Sequence, residues 1–168
     1  MRISNKKILI FNLITAVLFI LPVFRLDYHS ENYSTLSFDT RGYLYLVFLG
    51  ICSGILLGYE TSVISGEREG IMVFITMMIG VIVPHHYPYD LQGNVHLILA
   101  YVSFAGLYLL SFNNIRNYPD KNLHNIMFGM LITVAIMYIH FGMVTSISEL
   151  IIIICCLYVN YKRYTSIN

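Results

Sequence analysis

Long runs of apolar residues, separated by short polar segments, dominate the chain. A helix of about 20 residues crosses the hydrocarbon core of a bilayer, and apolar runs near that length are typical of spanning helices. The pattern predicts an all-α fold: a polytopic integral membrane bundle of six transmembrane helices, in a single domain over residues 1–168. The predicted helices are residues 7–24, 42–59, 66–84, 95–112, 123–141 and 146–161.

Composition agrees with this pattern and excludes other classes of protein. Hydrophobic residues make up 57% of the chain and charged residues 11%, whereas soluble domains carry about 25% charged residues. The formal net charge of +1 gives no reason to expect a nucleic-acid partner. Basic residues precede the first run, as in a signal peptide, but no small-x-small cleavage site follows it, so we expect this helix to be retained.

Lysine and arginine residues flank the predicted helices unevenly. If the N-terminus lies inside, the outer side carries only Arg25 and Arg41, and the other eight of the ten lie inside. Cytoplasmic segments of membrane proteins carry this excess of positive charge. We therefore expect a multi-pass protein of the plasma (cell) membrane with both termini in the cytoplasm. The inner group comprises Arg2, Lys6, Lys7, Arg68, Arg116, Lys121, Lys162 and Arg163.

Ionisable side chains gather on the predicted outer side, mainly in the turn between the third and fourth helices. Such groups near membrane depth usually mark a functional site. We expect an outward-facing cup of His, Asp and Tyr side chains, with His96 at its base and paired with another member of the cup. The candidate ligand or metal residues are His85, His86, Asp90, His96 and His140. The preceding outer loop would form a lid, with Asp27, Tyr28, His29 and Glu31 as candidate residues.

A spaced pattern runs through the same turn: Pro88, Asp90, Gly93, His96, Ala100 and Phe104. It resembles a pattern in a bacterial six-helix membrane family of unknown function, distantly similar to the FGF-receptor-activating and DRAM-like membrane proteins. The resemblance implies six helices and an important histidine at a helix entry. It implies no activity.

Binding or transport of a small ligand or lipid is the function that this layout favours. Six helices under a long first outer loop resemble the substrate-binding subunits of energy-coupling-factor vitamin transporters. One alternative is a zinc-dependent membrane hydrolase acting on a lipid-like substrate, with zinc held by the cup residues. Another is a haem-binding membrane protein with His96 and His140 as axial ligands. The cofactor, if any, stays open between zinc, haem and none.

Three glycines on the second predicted helix, Gly50, Gly54 and Gly58, recur every four residues and therefore share one face. Small residues at this spacing let two helix backbones approach closely in lipid. This helix-packing face predicts either a contact within the chain or a homodimer or partner membrane subunit. The cysteines Cys52, Cys155 and Cys156 all lie within apolar runs and are expected to be small buried side chains.

Overall fold

Six α-helices and one 3-10 helix form the part of the chain that the structure describes. The structure is a computed structural model, and it describes residues 3–27, 31–84 and 91–167. The 3-10 helix, Tyr33–Phe38, lies in the loop between α1 and α2 and is called the cap helix below; outer and inner denote the sides that the sequence predicts. The α-helices are α1 Asn5–Val23, α2 Thr40–Ser65, α3 Glu67–Ile82, α4 Leu91–Ile115, α5 Lys121–Phe141 and α6 Ser146–Thr165.

Four of the helices in the described ranges are long and apolar enough to cross a membrane: α1, α2, α4 and α5. The helix α3 has only 16 residues, and α6 carries Glu149, Lys162 and Arg163 in its end turns. The predicted all-α fold is confirmed. Each of the six predicted spans corresponds to a helix in the structure, and four of these helices have the length and composition of a membrane span.

The second helix extends further than its hydropathy predicts. The apolar run ends near residue 59, but α2 continues to Ser65 because the polar side chains of this last turn find partners. Ser62 Oγ donates to the Gly58 carbonyl at 2.8 Å, and Ser65 Oγ donates to Asn114 Oδ1 at 2.7 Å. The chain then reverses at Gly66, whose φ of 125° suits glycine. The inner loop expected here is therefore a single residue.

The glycine face of α2 packs against α3 within the chain. A Cβ built on Gly50 would lie 2.7 Å from a methyl carbon of Val81, and one on Gly58 would lie 2.9 Å from the Gly70 carbonyl oxygen. Both distances are too short for a larger side chain, so these glycines allow the two backbones to approach closely. The contact with a second copy or a partner subunit through this face stays a prediction. An open groove of about 240 Å³ runs beside Gly54 and Gly58 between the two helices.

Apolar side chains cover the outside of the bundle, while many polar side chains lie inside it. This is the reverse of a soluble protein, in which such large exposed apolar patches are rare. Large exposed hydrophobic residues include Leu13, Ile98, Leu109, Leu131 and Ile139. Buried polar residues include Asn12, Ser53, Glu60, Thr61, Asn114 and Asn160.

A hydrogen-bond network at the inner end joins α2, α4 and α6. Asn114 on α4 donates from Nδ2 to Thr61 Oγ1 at 2.9 Å and to Asn160 Oδ1 at 2.5 Å. Asn160 on α6 donates onwards to Ser111 Oγ at 3.0 Å and to the Cys156 carbonyl at 2.9 Å. The polar residues of α6 thus place it among the other helices, and it contacts α1, α2, α4 and α5.

Gly54→Leu should destabilise the bundle, because a Cβ there would lie 3.0 Å from the Phe74 ring and 3.3 Å from Met77 Cβ. We expect a loss of about 1–3 kcal/mol in the free energy of unfolding, as for other overpacked sites. Thermal unfolding of the purified protein in lipid nanodiscs measures it.

Gly129→Leu on α5 is the matched control, because a Cβ on Gly129 meets no atom within 4 Å. The close contact between α2 and α3 would be contradicted if both variants unfolded at the same temperature as the original chain.

Candidate functional site

Local hydrogen bonds on both sides of the cap helix, and a close approach at Gly42, set its position at the start of α2. The Glu31 backbone N–H donates to the Asp27 carbonyl at 2.8 Å, and Glu31 Oε2 accepts from the Asp27 N–H at 2.6 Å. Asp39 then caps α2 by accepting from the N–H groups of Arg41 and Gly42 at 2.8 and 2.9 Å. A Cβ on Gly42 would lie 2.0 Å from the Leu36 carbonyl oxygen, so only glycine allows this approach.

Tyr33 anchors the cap helix in the bundle. Its side chain is buried, its hydroxyl donates to the Phe19 carbonyl on α1, and its ring meets the Phe19 ring edge-on at 5.8 Å. Burial, together with the nearby Glu149 carboxyl, raises the pKa of the Tyr33 phenol. The phenol therefore keeps its proton and remains a hydrogen-bond donor.

Glu149, in the first turn of α6, joins that helix to the cap helix. Its Oε2 accepts from the Tyr33 backbone N–H at 2.6 Å, and the residue is almost fully buried. Thr145 and Ser148 begin α6 with a capping box. The Ser146 N–H donates to the Glu31 carbonyl at 2.8 Å. The N-terminus of α6 thus holds the outer loop through two separate backbone contacts.

His96 joins three parts of the chain: the end of α3, the first turns of α4 and the cap helix. Its Nδ1 lies 2.6 Å from the Val83 carbonyl oxygen, and its Nε2 lies 2.7 Å from Ser34 Oγ. A carbonyl only accepts, so Nδ1 carries the proton and Nε2 accepts from the Ser34 hydroxyl. Both ring nitrogens therefore contact oxygens of the protein. The sequence predicts a partner among the ionisable residues of the cup, and three of these, His85, His86 and Asp90, lie outside the described residues, so that pairing stays a prediction.

A small cavity lies directly below the cap helix, in the outer half of the bundle. Its volume is about 60 Å³, and α1, α2, α3, α4, α6 and the cap helix all contribute to its wall. Most of the lining is apolar. The polar residues that reach it are Tyr33, Ser34, Ser103 and Glu149.

The hydrogen-bond donors of this cavity wall are already engaged. Ser103 Oγ donates to the Thr76 carbonyl at 2.6 Å, and the Tyr33 N–H donates to Glu149. The Ser34 hydroxyl forms a hydrogen bond with Nε2 of His96. The wall therefore offers a bound molecule the acceptor oxygen of Ser103 and the carboxyl group of Glu149, which accepts hydrogen bonds and, when protonated, also donates one.

The remaining predicted site residues fall in different places. His140 is exposed at the outer end of α5, with its ring 4.7 Å from that of Phe141. Asp27 is exposed and Glu31 is half-buried in the loop before the cap helix. The residues His85, His86, Asp90, Tyr28 and His29 lie outside the described residues.

Among the residues that the structure describes, no group of three His, Cys, Asp or Glu side chains could hold a metal ion. Three of the five proposed ligands lie outside those residues, so the zinc alternative stays a prediction. The two proposed haem ligands are described: both ring nitrogens of His96 contact protein oxygens and His140 is exposed, and the haem alternative also stays a prediction.

Sequence reasoning misses the contact between Glu149 and the cap helix and the roles of Tyr33, Ser34 and Ser103. A partial signal exists, since Thr145 and Ser148 mark a helix start and place Glu149 in the first turn of an apolar helix. No sequence spacing reveals that Ser34 meets His96, 62 residues away.

Comparison of the chain with protein-family models, curated proteins and solved structures finds no match. The resemblance of the His96 pattern to a six-helix membrane family therefore stays a hypothesis.

His96→Ala should destabilise the outer end of the bundle, because the substitution removes both contacts and leaves Ser34 Oγ and the Val83 carbonyl short of a partner. We expect a loss of about 1–3 kcal/mol in the free energy of unfolding, measured by thermal unfolding in nanodiscs.

His140→Ala removes an exposed histidine from the same side and should change the free energy of unfolding by no more than about 0.5 kcal/mol. Equal losses in the two variants would show that His96 does not hold the cap helix.

Proposed function

We propose that this chain is a multi-pass protein of the cell membrane, with six membrane-embedded helices and both termini in the cytoplasm. The four apolar helices and the apolar exterior support the membrane location. The helix α6 packs against α1, α2, α4 and α5, and α3 packs between α2 and α4. These two helices therefore share the depth of the spans, although α3 is only about 24 Å long. The Lys and Arg distribution supports the orientation.

The orientation predicts which loops a membrane-impermeant thiol reagent reaches in intact cells. Asn94→Cys and Asn117→Cys both alter exposed residues, at opposite ends of α4. With the three native cysteines replaced, Asn94→Cys should react from outside and Asn117→Cys only after the membrane is opened. The reverse pattern would overturn the proposed orientation.

We propose further that the outer cavity binds a small, mainly apolar molecule that carries a hydroxyl or amino group. The cavity is the observation that carries this proposal: it lies among five α-helices, and Tyr33 and Ser34 of the cap helix form part of its wall. Concave, mainly apolar sites with a few convergent polar groups are typical binding sites. At roughly 10–15 Å³ for each ordered water, about 60 Å³ holds a small molecule or one end of a larger amphiphile.

The donors and acceptors in the cavity wall determine which polar group the bound molecule should carry. Glu149 and Ser103 offer acceptor capacity, while the nearby donors of Tyr33 and Ser103 are engaged. A ligand that brings a donor makes a new hydrogen bond, whereas a carboxylate ligand would bring an unpaired negative charge into a mainly apolar cavity. Alcohols and amines should therefore bind better than carboxylates of the same size.

Propanol, propylamine and propionate test this preference through the thermal unfolding of the protein in nanodiscs. The alcohol and the amine should raise the unfolding temperature with increasing concentration, since a ligand that binds only the folded state stabilises it. Propionate should not.

Two substitutions on α4 separate cavity binding from an effect of these compounds on the lipid. Ala100 lines the cavity, so Ala100→Phe should fill it and abolish the response. Ala105 is exposed on the same helix, and Ala105→Phe should preserve the response. If all three proteins responded alike, the cavity would not be the binding site.

A further inference from the structure

A second buried acidic residue, Glu60, lies in the inner half of the bundle, away from the outer cavity. It is on α2, in the same turn as Thr61 of the inner polar network, and it is fully buried. Its Oε1 accepts a hydrogen bond of 2.6 Å from Nδ2 of Asn12 on α1, which is also buried. The pair joins two candidate membrane spans at a depth where ionisable groups are rare.

The hydrogen bonds of this pair are incomplete on one side. The Asn12 amide donates both to Glu60 Oε1 and to the Ile8 carbonyl, so its two N–H bonds are in use. Two acceptor atoms, Glu60 Oε2 and Asn12 Oδ1, are buried and have no hydrogen-bond partner among the described residues. Unpaired buried acceptors are uncommon in folded proteins, and two on one contacting pair indicate a missing donor.

Among the described residues, no charged or titratable group of the neighbouring helices supplies that donor. On α6, Arg163 donates to the Asn114 carbonyl and to Ser166, and Tyr164 donates to the Ile3 carbonyl. Lys162 lies over the Tyr158 ring. The remaining described groups at this end are exposed or half-buried side chains, comprising Lys6, Lys7, Tyr59, Glu67, Arg68, Glu69, Arg116, Tyr118, Asp120, Lys121, His124 and Tyr161.

We propose that Glu60 is a proton-binding site and that its O–H donates to Asn12 Oδ1. One proton then satisfies both unpaired atoms and closes an acid–amide pair with two hydrogen bonds between α1 and α2. It also removes a buried negative charge, which is costly without a partner. A metal cation would need several more oxygen ligands than the two that this pair leaves open.

The consequence is that one proton controls how firmly α1 is held to α2. With the proton bound, Asn12 and Glu60 form two hydrogen bonds with each other, and neither side chain keeps an unpaired buried atom. Without it, a carboxylate faces the amide oxygen of Asn12, and the contact between the two helices weakens. The site is separate from the outer cavity, and this inference does not depend on ligand binding there.

The direct test is site-resolved modification by dicyclohexylcarbodiimide, an apolar reagent that reacts with protonated carboxyl groups. The intact protein in nanodiscs at neutral pH is treated, digested and analysed by mass spectrometry. Glu60 should be modified, while the exposed Glu67 on the neighbouring helix should not. Absence of modification at Glu60 would overturn the proposal, as would protection by sodium chloride but not by choline chloride, which would indicate a bound cation.

Infrared spectroscopy gives a second readout, because a neutral carboxylic acid has its own carbonyl band. Glu60→Gln should lose the part of this band that Glu60 contributes, and Glu149→Gln should keep it. Glutamine also has an N–H group that can replace the missing donor, so Glu60→Gln should fold. Loss of a carboxylate band instead of the acid band in Glu60→Gln would show that Glu60 is ionised.

The free energy of unfolding should depend on pH differently in the original chain and in Glu60→Gln. A group that holds its proton more tightly when folded stabilises the protein at low pH, and this stability is lost as pH rises. The original chain should therefore lose more stability between neutral and alkaline pH than Glu60→Gln does. Identical pH profiles would contradict the proposed proton site.

Discussion

Polar groups inside this bundle must find their partners within the protein, and the rest of the structure depends on that constraint. The exterior of α1, α4 and α5 is apolar, so no water is available to form hydrogen bonds with an unpaired polar group in the interior. The consequence is visible at both ends. Asn114 joins α2, α4 and α6 at the inner end, and Glu149 and His96 fix the cap helix at the outer end.

The same constraint explains the position of α6, which has 20 residues but lacks the apolar composition of a candidate span, and which contacts four other helices. Its polar residues lie at its two ends and face partners in neighbouring helices. Glu149 meets the cap helix, and Asn160 meets Ser111 and Asn114. Between them, buried apolar residues such as Ile153 and Leu157 fill the centre of the bundle. Polar pairing at the ends and apolar packing between them together hold α6 in place.

The positions of the helices follow from hydropathy, whereas their ends and contacts do not. Apolar runs predict six helices, since burial in lipid requires such runs. They end α2 six residues early, because its last turns are polar and the partner of Ser65, Asn114 on α4, is adjacent to it only in the folded bundle. The spacing of Gly50, Gly54 and Gly58 predicts a close helix contact but cannot name its partner, which within the chain is α3.

The candidate site could be predicted only in part for the same reason. His96 stands out because a histidine at a helix entry is unusual, and the structure places it near the outer cavity through Ser34. Two of the groups that it contacts are a serine hydroxyl and a backbone carbonyl, which carry no sequence signal of their own. Glu60 and Asn12 are 48 residues apart, and only the folded arrangement of α1 and α2 reveals that they share one site.

The central claim is that buried polar contacts hold the cap helix closed over the outer cavity. Hydrogen–deuterium exchange of the intact protein in nanodiscs tests it most directly, at the Tyr33 amide that donates to Glu149. The account predicts that this amide exchanges as slowly as amides in the middle of α2, although it lies in a loop. Exchange at the rate of an unstructured peptide would contradict it, because the cap helix would then not be held in the bundle.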